Sequence, residues 1–457
     1  MSLPTRTQEA APETWIAGVR SNAAVWIAIA LVLSAAVRVQ VVVGPLTKLR
    51  PALIATAVGA VYLAARIHGD QWRRAFADSS VRLMLVYYAW ALMTVPFALY
   101  PGGAFAAATT PVFAQIALVL ATAVVTPTRR NLQMLQRAWA HGTATHITLM
   151  LVEGSSRRGR VFTQTGYDPN DYAAIAAMVF PLCLGLFQRE KGAWKWIALV
   201  SAAILAVGVV KTGSRGGTIA ILAGGLAFVL ASEGAKRFLW VFLFVLGGMV
   251  TWSIAPPEYR ARMNSLADGE EDYNYTAFAG RKQIWARARI YIARHPVTGV
   301  GMGNFPVMEG QYIAEIGRSG KWSTAHNSYY QAAVELGVLG GALFLTQVLL
   351  ALRRGWRVRS ESVRTGGSTS GVQPEYFASV AAFATSSIFL SHAYFPFFFG
   401  IMALLVLAEG VVMSRSSSGH AEVPQWGIER ATRRQVGAWA GWRTRNSWLK
   451  HAGGRAR

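Results

Sequence analysis

The chain has 457 residues, of which 53% are hydrophobic and only 15% are charged, and its formal net charge is +23. The apolar residues come in runs of about 15 to 25, which suit a bilayer and are too long for small water-facing cores. The composition therefore excludes an ordinary water-soluble enzyme and predicts an all-α, polytopic membrane protein.

The basic residues lie mainly in short segments between the apolar runs. This distribution is typical of the positive-inside rule and of contact with anionic membrane lipids, so it argues against nucleic acid as a partner. The single cysteine, Cys183, lies inside an apolar run. One cysteine supports neither a disulfide framework nor a thiol metal site.

About twelve transmembrane helices are predicted from apolar runs bounded by charges, glycines and prolines. Their approximate positions are residues 23–38, 51–66, 81–99, 104–126, 133–152, 171–188, 194–210, 216–232, 237–254, 327–352, 375–392 and 394–413. With a cytoplasmic N-terminus, the inner segments hold more Lys and Arg than the outer loops, and the excess grows when the long segment 255–326 is set aside. The positive-inside rule therefore favours both termini in the cytoplasm.

The predicted spans divide the chain into five parts. Residues 1–22 form a cytoplasmic N-terminal segment, and residues 23–254 carry transmembrane helices one to nine. Residues 255–326 form a long, mainly helical periplasmic loop, residues 327–413 carry helices ten to twelve, and residues 414–457 form a basic cytoplasmic tail.

The predicted outer face carries an unusual number of cations. They include Arg158 and Arg160 in one loop and Lys211 in the next. Each is explained either by contact with lipid phosphates or by a substrate anion. Asp168 and Asp171 begin the sixth span on this face, where Asp171 either caps the helix or contacts a sugar.

Three motifs on this face suggest chemistry beyond lipid contact. The first is the glycine-rich turn Lys-Thr-Gly-Ser-Arg-Gly-Gly at 211–217, which ends where a span begins. A helix N-terminus offers N–H groups, and Arg215 adds donors that fit phosphate oxygens. The alternative is a positively charged membrane turn with glycines for curvature.

The second motif is an amphipathic helix that begins after Gly280 and ends before Pro296. At about 100° per residue, Arg281 falls in the middle of its apolar stripe, whereas Arg287 falls outside it. A guanidinium among apolar residues must meet an anion, unless it extends to water from the first turn.

The third motif is Ser-Thr-Ala-His-Asn-Ser-Tyr-Tyr at 323–330, immediately before an apolar run. Ser323 or Thr324 is the expected N-cap, which would put His326 in the first helical turn and Tyr330 one turn further in. The helix dipole and nearby arginines would keep the imidazole uncharged and able to act as a general base. The alternative is a capping or interfacial histidine.

Weaker candidates have simpler explanations. The glycines from Gly299 to Gly303 read as a loop, and the acidic residues at 268–272 read as a solvated acidic loop with a cation site as the alternative. Glu335 is an intramembrane carboxylate, which either marks a functional site or bonds a neighbouring helix. His392 has no visible partner in the sequence, so we expect a structural role.

Together, the Ser-Arg-Gly-Gly turn, the Gly-Arg helix and the Ala-His-Asn-Ser-Tyr segment resemble the O-antigen ligase and polymerase superfamily of bacterial envelopes. The resemblance covers roughly residues 160–345, and the overall layout is most similar to an O-antigen ligase. It implies transfer of a glycan from undecaprenyl pyrophosphate to a sugar of lipid A-core at the periplasmic side of the inner membrane, without nucleotide, cofactor or metal.

By this resemblance, Arg215 and Arg281 bind the pyrophosphate and His326 is the catalytic base. The chemistry of these residue types agrees with this assignment, since His326 would take a proton from the acceptor hydroxyl in a single inverting displacement. A second tier of expected substrate-binding residues comprises Arg158, Arg160, Lys211, Asp168, Asp171 and Tyr330.

Other activities remain open at this stage. An O-antigen or exopolysaccharide polymerase and a protein O-oligosaccharyltransferase would use the same donor with a different acceptor. A lipid-linked glycan transporter belongs to a different class and would use an intramembrane charge such as Glu335 to couple movement.

Overall fold

The computed structural model describes residues 23–38, 48–66, 69–157, 160–162, 167–266, 277–278, 280–320, 322–365 and 374–419. These residues form an all-α protein with one short β-hairpin, as the composition predicts. The first helix, α1, covers residues 23–36, and its last turn, Val32–Ala36, is a π-helix. The later elements are α2 (Pro51–Arg66), α3 (Gly69–Ala77), α4 (Ser79–Met93), α5 (Pro101–Ala123), α6 (Arg129–Glu153), β1 (Ser155–Arg157), β2 (Arg160–Phe162), α7 (Pro169–Arg189), α8 (Gly192–Thr212), α9 (Arg215–Ala231), α10 (Gly234–Ile254), α11 (Pro257–Asn264), α12 (Arg281–Arg294), α13 (Phe305–Glu315), α14 (Ser328–Arg364), α15 (Glu375–Ser386) and α16 (Pro396–Gly419).

Each of the twelve predicted spans coincides with a helix, but not every helix is long and apolar enough to cross a membrane. Among the described residues, seven helices meet that condition, and the bent pair α2 and α3 would make an eighth. Helices α1 and α9 are shorter, α15 has 12 residues, and α6 is too polar along its length. A multi-pass membrane protein is therefore confirmed, whereas the count of twelve is not.

Helix α7 lies at the centre of the fold and is buried along most of its length. It packs against α6, α8, α9 and α15, and small side chains bring these helices close together. A Cβ on Gly217 of α9 would collide with Ala173 of α7, so a glycine is required at this crossing. The close contact fixes the start of α9 beside the start of α7.

Helix α14 is broken at Gly337, whose φ of 71° is in the left-handed region. The break leaves carbonyl groups without helical partners, and the preceding loop supplies donors to them. The N–H groups of Val300 and Gly301 donate to Val334 and Glu335 at 2.9 and 2.8 Å. Irregular backbone at membrane depth is thus satisfied inside the protein.

The segment 255–326 is mainly helical in its described parts, which contain α11, α12 and α13. The acidic residues at 268–272 lie outside the described residues, as do residues 1–22 and 420–457. Helix α16 runs to Gly419, beyond the predicted end of the last span at residue 413.

Charged side chains form ion pairs at one end of the helix bundle. Glu190, next to the end of α7, pairs with Arg137 of α6. Arg354 of α14 pairs with Asp78 and with Glu409 of α16. These residues lie in or beside segments predicted to be cytoplasmic, whereas the start of α7 is about 30 Å away, at the opposite end.

Candidate functional site

Arginine side chains converge on the turn between α8 and α9. The Arg160 Nε donates to the Thr212 carbonyl at 2.8 Å, and the Arg262 Nε donates to the Gly213 carbonyl at 3.1 Å. Arg215 begins α9, and its Nε donates to the Arg262 carbonyl at 3.0 Å. With Arg281, whose charge acts on Arg160, these residues form what we call the arginine cluster.

Helix α11 is fastened over this turn. Besides its bond to Arg262, the Arg215 guanidinium donates to the Ser265 hydroxyl at 2.7 Å. The hydroxyls of Thr218 and Tyr259 lie 3.0 Å apart, which joins α9 to α11 one turn after Arg215 and one turn before Arg262. Arg215 therefore anchors α11 as well as carrying charge into the site.

The electrostatics of the arginine cluster favour a bound anion. Burial lowers the pKa of Arg160, the charges of Arg262 and Arg281 lower it further, and Asp168 acts in the opposite direction. A second hydrogen bond, from Arg160 Nη2 to the Asn170 side-chain oxygen at 2.9 Å, holds the guanidinium in place. Cations held together in partly buried positions are stabilised when an anion binds between them.

The turn itself differs in one respect from the sequence prediction. Ser214 is the N-cap of α9, and its hydroxyl accepts the Gly217 N–H at 3.2 Å. This N–H is therefore already satisfied, which leaves fewer of the N–H groups at the start of α9 available to an anion. The arginine side chains add positive charge at the same turn.

Arg281 is the first residue of α12 and is half-buried. The buried residues of α12 include Ile284, Arg287 and Tyr291, so Arg281 lies at the edge of the buried stripe. The prediction that Arg281 lies mid-stripe and Arg287 outside it was wrong, because α12 packs against α13 as well as against the membrane-spanning helices. The Glu309 carboxylate of α13 pairs with Arg287.

His326 lies at the start of α14 and is half-buried. The prediction of its position in the first turn was wrong, because the N-cap is Asn327, whose side chain accepts the N–H groups of Tyr329 and Tyr330 at 2.9 and 3.0 Å. His326 therefore precedes the helix. Its φ is 48°, a left-handed conformation that is costly outside glycine, and its N–H donates to the Ser391 hydroxyl at 2.9 Å.

Asp171 lies beside two histidines at this end of the bundle. Its Oδ1 is 2.8 Å from the Nε2 of His392, and the charge of a protonated His326 would also act on it. Its Oδ2 accepts the Asp168 N–H at 3.0 Å, and the Asp168 carboxylate caps α7 in return. Asp168 is thus an exposed N-cap, with Asp171 as its reciprocal partner.

Helix α12 and the His326 segment are joined directly. The indole N–H of Trp285 donates to the Ala325 carbonyl at 3.1 Å, and the Trp285 ring lies 6.3 Å from the Tyr330 ring. Since Trp285 is one turn from Arg281, this contact ties the arginine cluster to His326. Tyr330 is half-buried, and Lys211 is exposed in the last turn of α8. Arg158 lies outside the described residues.

Glu335 anchors a loop in the structure. Its carboxylate accepts the Gly303 and Phe305 N–H groups at 2.9 and 3.2 Å, so it caps the start of α13. These bonds favour the interpretation in which Glu335 holds neighbouring backbone. The glycines from Gly299 to Gly303 form the loop that the sequence analysis favours.

Two neighbouring apolar cavities lie beside α8, α9 and α10. Their volumes are about 400 and 390 Å³, and both are lined by Phe180, Leu243 and Phe244. The first cavity reaches Thr218 and Tyr259, which lie one helical turn from Arg215 and Arg262. An apolar chain lying in these cavities would meet cations at one end.

Within the described residues, no group of three or more His, Cys, Asp or Glu side chains is arranged to hold a metal ion. The acidic residues at 268–272 are outside that part of the chain. Metal independence therefore stays a prediction.

Comparison with known proteins identifies the family of the segment that carries the arginine cluster and His326. Residues 200–345 match the family model described as O-antigen ligase. This segment is similar to the O-antigen ligase family. No curated protein matches the chain significantly. The family indicates a membrane glycosyltransferase of the ligase or polymerase type, and the resemblance stated from the sequence motifs is confirmed.

The matched domain does not include every residue at this end of the bundle. Arg160 and Asp171 precede residues 200–345 and His392 follows them, yet all three contact or adjoin the site. The sequence analysis did not single out Arg262, and it identified no partner for His392. Arg262 was one of many cations in its segment, and the partner of His392 is 221 residues away in the chain.

Proposed function

We propose that this protein is an O-antigen ligase. It transfers a glycan from undecaprenyl pyrophosphate to a sugar hydroxyl of lipid A-core at the periplasmic face of the bacterial inner membrane. The transfer inverts the anomeric configuration and needs no metal. The match of residues 200–345 to the O-antigen ligase family model supports glycan transfer.

The observation that carries this proposal is the meeting of three distant chain segments at one end of the bundle. Arg215, Arg281 and His326 belong to α9, α12 and the segment before α14. The links are the hydrogen bond from Trp285 to Ala325 and the charge interaction of Arg281 with Arg160. Such a transfer requires cations that bind the diphosphate. It also requires a proton acceptor, which an imidazole can provide.

The proposed reaction is a single displacement. His326 takes the proton of the acceptor hydroxyl as that oxygen forms a bond to the anomeric carbon of the donor glycan. The bond from that carbon to the pyrophosphate oxygen breaks, and the electron pair leaves with the undecaprenyl pyrophosphate. Arg215 and Arg281 stabilise the charge that develops on the leaving group, with Arg160, Arg262 and the outer cations Arg158 and Lys211 in support.

The apolar cavities beside α8, α9 and α10 support a lipid-linked donor. They are lined mainly by apolar side chains of α8, α9 and α10, and the first reaches Thr218 and Tyr259, which lie one turn from Arg215 and Arg262. A molecule with a long apolar tail and a diphosphate head would place its tail in the cavities and its head against the arginine cluster. Tyr330 lies on the His326 side, where the acceptor sugar would approach.

Two related activities use the same donor chemistry. A polymerase would accept a second undecaprenyl-pyrophosphate glycan, and a protein O-oligosaccharyltransferase would accept a polypeptide hydroxyl. A transporter is disfavoured by the bonds of Glu335, since both carboxylate oxygens hold backbone N–H groups.

Transfer by the purified protein tests the proposal. The protein in lipid nanodiscs is incubated with a lipid-linked glycan and, in separate reactions, with lipid A-core, a second lipid-linked glycan or a Ser-containing peptide. We expect product with lipid A-core. Product only with the second lipid-linked glycan would identify a polymerase. Transport into vesicles that survives His326→Ala, without transfer, would contradict an enzymatic role.

A further inference from the structure

The segment that carries His326 is fastened to the loop between α15 and α16. The Ser328 N–H donates to the Ser387 carbonyl at 2.7 Å, and the Ser328 hydroxyl donates to the Leu390 carbonyl at 2.8 Å. The same hydroxyl accepts the His392 N–H at 2.8 Å. The loop therefore holds the backbone next to His326 and also carries the side chain of His392.

His392 is placed to hold a partner rather than to contact a substrate. Its side chain is 4% exposed, and its ring stacks on Phe395 with centroids 4.0 Å apart. Because an ionised carboxylate only accepts hydrogen bonds, the contact with Asp171 requires a proton on the His392 Nε2. Within the described residues, the buried Nδ1 has no hydrogen-bond partner.

Asp171 consequently keeps its negative charge in a fixed position. Its Oδ1 accepts from His392 and its Oδ2 accepts from the Asp168 N–H, so neither oxygen can turn away. The other charged or titratable groups near it are His326 and Tyr167, and the Arg38 guanidinium stacks on the Tyr167 ring at 4.8 Å. The His392 side chain and the Asp168 N–H thus hold the carboxylate in one orientation.

We propose that Asp171 and His392 form a positioning pair in which the Asp171 carboxylate stabilises the protonated form of His326. The inference rests on the proposed role of His326 as the general base. When His326 takes the proton of the acceptor hydroxyl, it becomes a cation, and a fixed nearby carboxylate stabilises that cation in the transition state. After the displacement, His326 returns the proton to water. Asp171 and His392 touch neither the sugar nor the pyrophosphate.

The test compares kcat with KM in the full-length protein in nanodiscs. Asp171→Asn keeps the size of the side chain and removes its charge, so we expect kcat to fall about 100-fold, with KM for the lipid-linked donor changed less than twofold. Asp168→Asn is the matched comparison, because asparagine caps a helix as well as aspartate does and Asp168 has no bond to His392. We expect its loss of kcat to be at least tenfold smaller.

A second pair of variants tests the role of His392. His392→Gln keeps an N–H that can reach Asp171, whereas His392→Leu does not. We expect the Gln variant to retain at least fivefold more kcat than the Leu variant. Protection of each variant from thermal unfolding by inorganic pyrophosphate shows that it is folded, since that ligand addresses the arginine cluster.

Three outcomes separate the inference from the proposed function. If Asp171→Asn lowers kcat no more than Asp168→Asn, or raises KM instead, the positioning pair is refuted. If Asp171→Asn is not protected by pyrophosphate, the His392 variants decide, and equal activity of the Gln and Leu variants refutes the pair. If the wild-type protein transfers no glycan to any acceptor, the proposed function itself fails.

Discussion

Replacing Ser391 with alanine should reduce catalysis by loosening the backbone of His326. The Ser391 hydroxyl accepts the His326 N–H at 2.9 Å and helps to hold a left-handed φ of 48°. Leaving a partly buried N–H without an acceptor costs about 1 to 3 kcal/mol. A left-handed conformation in a residue other than glycine costs a similar amount of free energy. The backbone of His326 would therefore relax to a different conformation once the hydrogen bond is lost.

The expected change in rate follows from these energies. A shift of about 1 to 3 kcal/mol away from the bonded conformation lowers kcat by about 5- to 150-fold. KM for the lipid-linked donor should change little, because the arginine cluster is not touched. The assay is steady-state glycan transfer by purified protein in nanodiscs, with the rate measured at saturating acceptor and varied donor.

Two variants complete this test. Ser391→Thr keeps the hydroxyl and should retain at least a third of the wild-type kcat. Ser253→Ala removes an exposed hydroxyl that bonds only within α10 and should behave as wild type. If Ser391→Ala has a kcat within twofold of wild type, the backbone bond has no part in positioning His326 and the reasoning is refuted.

Three further predictions concern other parts of the molecule. Arg262→Gln should raise the apparent Kd for inorganic pyrophosphate about tenfold, as measured by protection from thermal unfolding, whereas Arg260→Gln on the same helix should not. Equal effects of the two substitutions would show that Arg262 is not part of the arginine cluster. Glu309→Gln leaves Arg287 buried without its charged partner. Burial lowers the pKa of Arg287, and the Glu309 carboxylate outweighs that effect and raises it, so we expect a loss of about 3 to 5 kcal/mol in the free energy of unfolding of this segment. Proteolysis measures this loss, and resistance equal to wild type would contradict it. Gly337→Ala should lower the yield of folded protein in size-exclusion chromatography. A side chain is strained at a φ of 71°, and the added Cβ would collide with the Val297 carbonyl. A wild-type yield and melting temperature would show that the break in α14 tolerates side chains.

Most of the helices are predictable from the sequence because long apolar runs bounded by charges have few alternatives to a helix in a bilayer. The prediction is less successful at α6 and α15. Helix α6 is 25 residues long but polar, since its Asn131, Gln136 and His146 are buried against other helices rather than exposed to lipid. Helix α15 ends at Ser386, six residues before the predicted boundary, because the loop that holds His326 begins there.

The site is predictable in part. Arg215, Arg281 and His326 stand out because a charged or titratable side chain beside an apolar run has few ordinary explanations. The cap of α14 is misassigned because Ser323, Thr324 and Asn327 are all good N-caps, and local sequence does not decide between them.

Buried pairings account for what the sequence analysis missed. The burial of Arg287 depends on Glu309, and the role suggested for His392 depends on Asp171. Each pair joins residues that are close only after folding, and a single sequence carries no local signal for such a contact.

The most direct test of the central claim measures glycan transfer from lipid-linked donor to lipid A-core by wild-type protein and by His326→Ala, Arg215→Lys and Arg281→Lys. Lysine keeps the charge and loses the planar guanidinium, so folding and insertion should be preserved while the diphosphate is held less well. We expect no detectable transfer by His326→Ala and at least a tenfold loss of kcat/KM in each lysine variant. Wild-type transfer by His326→Ala, or by both lysine variants, would contradict a single site formed by these three residues.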